Sequence, residues 1–261
     1  MQTATYRYIV TLQFLGFRYS GWQKQPGQKT IEGMLLKTLK FLLPQVSVKI
    51  LGAGRTDAKV SALDYGCEIF LKDTPLDDIL GFTELLNKNL PPDIRVLNVE
   101  QTDSDFNIIK SSKSKEYVYL FSYGAKNHPF CAPFMANIIE DINIDLMKSG
   151  ASLFMGTHNF SCFTAQLREN SKITRTIENC YIEENKLLTA NFFPPKSYAL
   201  RITGQGFMRY QVRMIMGSLI QLGKGELTLN EIEECLKGNN KNKIEYIAPG
   251  SGLLLNSLQF T

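Results

Sequence analysis

Apolar residues recur at helical spacing in TIEGMLLKTLKFLL (Ile31, Met34, Leu35, Leu39, Leu42), which predicts a helix begun by Thr30 and stopped by Pro44. Ahead of it, Tyr6–Phe14 (YRYIVTLQF) is dense in β-branched and aromatic residues and predicts a strand. A loop rich in Gly and Tyr, FLGFRYSGWQKQPGQKT, joins the two. Val46–Leu51 reads as a short strand that runs into GAGRTDAKVS, and Asp64–Leu71 as another strand. Pro75–Leu90 reads as a second helix ended by Pro91-Pro92, and Ile94–Val99 as a closing strand. The order β-α-β-β-α-β is a split βαβ pattern of ferredoxin-like type.

The second half begins at the basic stretch KSSKSKEYVYLFSY, with a strand from Glu116 to Tyr123. A helix over Asp145–Phe154 and strands over Thr174–Glu183 and Leu187–Thr203 follow. Helices over Phe207–Leu222 and Asn230–Leu236 and a strand over Gly252–Phe260 complete it. This pattern looks like an elaborated second copy of the first, although no sequence repeat is detectable. The expected fold is therefore α+β with two ferredoxin-like subdomains, residues 1–109 and 110–261. No linker is rich enough in Pro or Ser to mark a flexible boundary, which predicts two lobes packed as one body.

Composition narrows the class. Of 261 residues, 44% are hydrophobic and 21% charged, ordinary globular values that exclude disorder and collagen-like repeats. The longest strongly apolar stretch, Met214–Gly223, is about half of the ~20 residues a bilayer needs, so no membrane span is expected. Nor is a secretory signal, since MQTATYRYIVTLQF has no basic segment followed by a long apolar one. Five cysteines without a close pair read as reduced core thiols of a cytoplasmic protein. With only His128 and His158, a His-rich zinc site is not expected. The net charge of +4 is uneven: residues 1–109 hold 12 Lys and Arg and 12 Asp and Glu, and the remainder holds 17 against 13. A basic second half suits an anionic partner such as RNA, but small-molecule enzymes are often as basic.

The densest polar cluster is GAGRTDAKVSA, Gly52–Ala62. Taken alone it is a tight turn in which Asp57 caps backbone amides and Arg55 is a solvated charge. A phosphate cradle fails on spacing, because GAG lacks the third glycine of GxGxxG and no GK[ST] follows. The loop nevertheless resembles the GRTDAGVHA hallmark of the tRNA pseudouridine synthase A family. Further resemblances follow in order: YSGWQKQP with TIEG, LNKNLPPDIRVL, SKSKEYVY, THNFSCF, RTI, GFMRYQVRMIMGSL and APGSGLLL, spanning Tyr19 to Leu255.

The resemblance implies two ferredoxin-like subdomains sharing an extended antiparallel sheet, usually in a homodimer, and conversion of uridine to pseudouridine in tRNA. The expected targets are positions 38 to 40 of the anticodon stem-loop. The reaction breaks N1–C1′ and rejoins the uracil through C5, with no redox change or phosphoryl transfer, so neither cofactor nor metal is expected. Asp57 matches the catalytic aspartate, acting as nucleophile or base. Arg213 matches the arginine paired with it, Tyr117 the tyrosine that stacks on the uracil, and Arg55 the arginine that replaces the flipped nucleotide. Without the resemblance, Arg213 reads as a helix surface charge and Tyr117 as one face of a half-buried strand. Lys113, Lys115 and Arg209, with Lys110 and Lys196, are candidate phosphate contacts or equally well solvated charges. Trp22 is read as structural, and His158 as packed or hydrogen-bonded.

The sequence departs from the family pattern at Leu15, Lys59, Ser61, Met214 and the FNIIKSS segment around Asn107. These predict retained catalysis with an altered RNA-contact surface. Lysine at position 59, where the pattern has glycine, implies a backbone that does not need positive φ. Its ammonium is expected to point outward to a phosphate rather than inward to Asp57. The competing classes are a non-catalytic RNA-binding or RNA-folding member and a synthase acting on a different RNA. A glycoside hydrolase would need a second placed acid, for which no motif appears.

Overall fold

A computed structural model describes residues 4–167, 172–239 and 244–260. The chain divides into two compact units, Met1–Lys113 with Leu255–Thr261, and Ser114–Leu254. The fold is α+β, with mostly antiparallel strands and five α-helices among the described residues.

The first unit holds β1 (Thr5–Phe14), α1 (Ile31–Leu42), β2 (Val48–Gly52), β3 (Ser61–Lys72), α2 (Ile79–Asn89) and β4 (Ile94–Thr102). Its strands lie in the order β4-β1-β3-β2, every neighbour antiparallel. On β1, Tyr8, Val10, Leu12 and Phe14 are buried, and the alternation sends every second side chain to the core. β4 buries Ile94, Val96 and then Val99, a change of phase. Its pairing with β1 shifts register between Thr11 and Leu12, so Leu97 is left unpaired and exposed. The two helices contact each other, α1 also touching β2 and α2 touching β4. Thr30 caps α1 by accepting from Gly33 N–H at 3.2 Å, and Asp78 caps α2 by accepting from Gly81 N–H at 2.9 Å. The Asp78 cap starts α2 at Ile79, four residues after the expected Pro75.

On the other face of β3, Glu68 is fully buried and pairs with Arg7 at 2.6 Å. Arg7 also donates to the carbonyls of Ser104 and Phe106, tying the segment after β4 to the sheet. Ala53, Ile108 and Leu258 form a small core there, flanked by Ile9, Leu51, Phe106 and Phe260.

The second unit contains β5 (Ser112–Tyr123, whose first two residues belong to the first unit), β6 (Ala136–Ile138), α3 (Ile144–Ser152), β7 (Gly156–Asn159), β8 (Thr174–Glu184), β9 (Tyr198–Gly204), α4 (Gln211–Lys224) and α5 (Leu229–Lys237). Its sheet runs β5-β9-β8-β7 antiparallel, with β6 added in parallel to β5. Among these, β5, α3, β8, β9 and α4 follow the β-α-β-β-α part of the split pattern. The last strand, β10 (Leu253–Phe260), starts in this unit and finishes in the first. α4 is buried along most of its length, and α3 packs against α4 and β8.

Two further expected starts move. The strand expected from Leu187 begins only at Tyr198, because Asn185 holds a turn through Leu187 and Leu188 and the Pro194-Pro195 pair supplies no N–H donors. The helix expected from Phe207 begins at Gln211, since Tyr210 is left-handed (φ 62°). The short strands β6 and β7 carried too little pattern to be read.

Glu68→Ala leaves the Arg7 guanidinium without its buried counter-charge and is expected to lower the unfolding free energy by about 3 kcal/mol or more. An Arg7→Met, Glu68→Ala double variant should recover most of that loss in urea unfolding, because it removes both charges.

Candidate active site

The loop between β2 and β3, Ala53–Val60, carries Arg55, Asp57 and Lys59, and a second loop, between β1 and α1, clasps it. Trp22 N–H donates to Thr56 O at 3.1 Å, Lys59 N–H to Tyr19 O at 3.0 Å, and Gly16 N–H to Ser61 Oγ at 2.9 Å. Within the loop and its own strands, Val60 N–H donates to Asp57 O at 3.2 Å and Tyr65 Oη to Gly54 O at 2.6 Å. The clasp demands glycine at two positions. A Cβ on Gly16 would lie 1.8 Å from Val60 O; one on Gly21, whose φ is +93°, would lie 2.4 Å from Thr56 O. Trp22, 2% exposed, packs on Tyr65 with ring centroids 4.2 Å apart.

The clasping loop is itself anchored. Asp93 accepts from Tyr19 Oη at 2.6 Å and from Arg18 at 2.6 and 3.0 Å, and its backbone carbonyl accepts Leu15 N–H. Partial burial pushes the Asp93 carboxyl upward, but hydrogen bonds from Tyr19 and Arg18 outweigh it and hold the group below the usual carboxylate range. Burial, then the bond to Asp93, raises the Tyr19 phenol. Tyr19 and Asp93 were missed as site-building residues, although both lie in motifs quoted above, YSGWQKQP and LNKNLPPDIRVL.

Lys59 corrects an expectation. Its φ is 67°, left-handed, so lysine here does not exclude the positive-φ geometry. The backbone bond to Tyr19 holds it there at a steric cost of roughly 1–2 kcal/mol. The side chain is exposed, and its ammonium sits over the Phe17 ring, 5.6 Å from the centroid. Asp57 is half-buried and Arg55 exposed, with Arg55 Nε donating to Gln23 Oε1 at 3.1 Å.

The other candidates lie outside this loop. Tyr117, in β5 opposite Ile202, is half-buried, and Phe207 stands perpendicular to its ring with centroids 5.3 Å apart. Phe207 lies in GFMRYQVR, and no pattern in that run marks it as a partner of Tyr117. Arg213, in the first turn of α4, donates Nε to Ala248 O at 2.7 Å, and Ala248 N–H returns a bond to Arg213 O. The Arg213 and Arg209 guanidiniums both lie over Tyr210, at 4.9 and 5.0 Å, and exposed Arg209 also bonds Gln166. Lys113, Lys110 and Lys196 are exposed. Lys115 is partly buried, and burial pushes its ammonium below its ordinary value. His158 bonds the Met155 carbonyl through its ring at 2.7 Å. Among the described residues, no group of three or more His, Cys, Asp or Glu is placed to hold a metal ion. No described helix is long and apolar enough to cross a membrane.

A family model described as tRNA pseudouridine synthase matches residues 151–261. Whole-chain relatives extend the likeness. The chain is 30% identical to tRNA pseudouridine synthase A 2 of Bacillus cereus over 97% of its own length and 99% of that protein. It is 31% identical to the tRNA pseudouridine synthase A of Thermodesulfovibrio yellowstonii (94% and 96% covered) and to that of Dictyoglomus thermophilum (96% and 98%). These likenesses place it first among isomerases. The chain belongs to the tRNA pseudouridine synthase A family.

Glycine at position 59 would relieve the left-handed strain while loosening the unfolded chain. Lys59→Gly is therefore expected to be about 1 kcal/mol more stable than Lys59→Ala in chemical unfolding, since alanine keeps the strain. Equal stabilities would show that the backbone relaxes out of the left-handed region.

Proposed function

We propose that this protein converts uridine to pseudouridine in tRNA, at positions 38 to 40 of the anticodon stem-loop, using Asp57 and no cofactor. The observation that carries the reading is the Asp57 loop: the Arg-Thr-Asp-Ala run is present and is held by backbone bonds from a second loop, in a chain alike to tRNA pseudouridine synthases over almost its whole length. A carboxylate on a loop held by backbone bonds keeps its position when a base arrives.

Asp57, ionised, serves as nucleophile or base at the ribose and uracil. The N1–C1′ bond breaks, the uracil turns, and C5–C1′ forms; C5 gives up its proton and N1 gains one, so the product is an isomer. Tyr117 stacks on the uracil, and the perpendicular Phe207 ring limits its rotation. Arg213, fixed at Nε by Ala248, supplies the cation that keeps the aspartate charged. Arg55 fills the space left by the extracted nucleotide. Lys59, Lys113, Lys115 and Arg209 meet phosphates. Homodimeric assembly and a cytoplasmic location belong to the same reading.

Mapping pseudouridine in total RNA from cells with and without the gene tests the target. Loss confined to tRNA positions 38 to 40 is expected; loss at sites in another RNA would move the substrate, and no loss anywhere would favour a binding member of the family. Asp57→Asn keeps the shape and removes the charge, so pseudouridine formation should vanish while tRNA affinity stays within a few-fold. Substantial turnover by that variant would remove the mechanistic role.

If the Lys59 ammonium leaves Phe17 for a phosphate, Lys59→Ala should weaken tRNA binding and flatten its log–log salt dependence by about 0.7–0.9. The single-turnover rate at saturation should change little. An unchanged slope with faster chemistry would mean that the lysine acts on Asp57 instead.

A further inference from the structure

An exposed arginine side chain ordinarily samples many rotamers, and fixing it on binding costs entropy. Arg55 is exposed, yet it has a specific partner, and that partner has one of its own. Gln23 accepts from Arg55 Nε at 3.1 Å and donates its Nε2 to Glu32 Oε2 at 2.8 Å. The same carboxylate oxygen accepts Lys24 N–H at 2.6 Å, and Glu32 N–H donates to Trp22 O at 3.1 Å. Glu32 lies in the first turn of α1 behind the Thr30 cap, so a rigid helix end carries it.

The order of donors fixes the direction of this chain. A carboxylate can only accept, so it draws the NH2 end of the Gln23 amide. The amide oxygen is then turned toward Arg55, whose guanidinium can only donate. Reversing the amide would set two donors against each other at Arg55 and two acceptors at Glu32. Glu32 thus selects the amide orientation that holds the arginine.

We infer that Gln23 and Glu32 are positioning residues that hold Arg55 ready to enter a base-paired stem in place of the extracted nucleotide. The inference rests on the reading of Arg55 given above. Its consequence is specific to stacked RNA. Extracting a base costs least when its pair is already broken, so a pre-set arginine should matter most for an intact stem.

The test compares wild type, Arg55→Ala, Gln23→Leu and Glu32→Gln on two tRNA transcripts. One has the native stem, and the other has a mismatch opposite the target uridine. Gln23→Leu should lower kcat about 3- to 10-fold on the paired stem, the scale of one ordinary hydrogen bond lost at an exposed site, with KM nearly unchanged. On the mismatched stem it should run close to wild type. Glu32→Gln keeps the shape, lets the Gln23 amide turn either way, and should give a smaller loss with the same stem dependence. A rate lowered equally on both stems would overturn the proposal in favour of a merely structural loop contact. Wild-type rates for both variants on both stems, alongside a stem-dependent Arg55→Ala, would overturn it as well. Arg55→Ala slowed equally on both stems would instead remove the role of Arg55, a failure that this single variant identifies. Thermal melting of each variant separates misfolding from a lost contact, and Glu32→Gln carries the test if Gln23→Leu does not fold.

Discussion

The loop bearing Asp57 takes its course from the loop that grips it. Side chains give that grip the bonds from Gly16 N–H to Ser61 Oγ and from Arg55 Nε to Gln23 Oε1. Much of it is backbone against backbone, the Trp22 and Lys59 amides meeting the Thr56 and Tyr19 carbonyls. Such contact needs missing Cβ atoms, which Gly16 and Gly21 provide. Gly52 has a related task, since a Cβ there would meet the Tyr65 hydroxyl and the Trp22 ring. The close approach couples the Arg-Thr-Asp-Ala run to the Gly-Trp-Gln segment, so neither keeps its course without the other. One is the mould of the other.

Charge supports this grip at its far end. The Asp93 carboxylate gathers Tyr19 and Arg18, and its own carbonyl takes Leu15 N–H, so a residue at the start of β4 sets the course of the chain leaving β1. Arg7 and Glu68 do similar work inside the sheet, where Arg7 holds the chain beyond β4 through two carbonyls. Arg7 is the ionic group that fixes backbone directly, at carbonyls that would otherwise be costly to leave unmet, whereas the Asp93 carboxylate fixes side chains.

The fold was legible in the sequence wherever periodicity ran long. The helix at Thr30 and the strand from Tyr6 to Phe14 were found to within a residue or so, because caps and apolar faces are local signals. The pattern failed at short elements such as β7 and where a start is delayed, by the turn at Asn185 and by the left-handed backbone of Tyr210. In the candidate site, the motif residues stood out but their supports did not. Asp93 lies 74 residues from Tyr19 and Ser61 lies 45 from Gly16, and no local pattern joins positions so far apart.

The departures from the family pattern take a physical form in this frame. Ser61, where the pattern has histidine, accepts Gly16 N–H and so becomes one of the stitches between the two loops. Lys59, where the pattern has glycine, keeps the left-handed backbone and is held there by Tyr19. Met214, where the pattern has asparagine, is buried in α4. At position 59 the backbone geometry is the kind that glycine favours, so the change is confined to what projects from it: a cation over Phe17. A substitution that leaves backbone alone and adds exposed charge acts on the partner that meets the surface. On the proposed function, chemistry at Asp57 and recognition of the RNA are separable in this loop, the first resting on the clasp and the second on side chains that stand outside it.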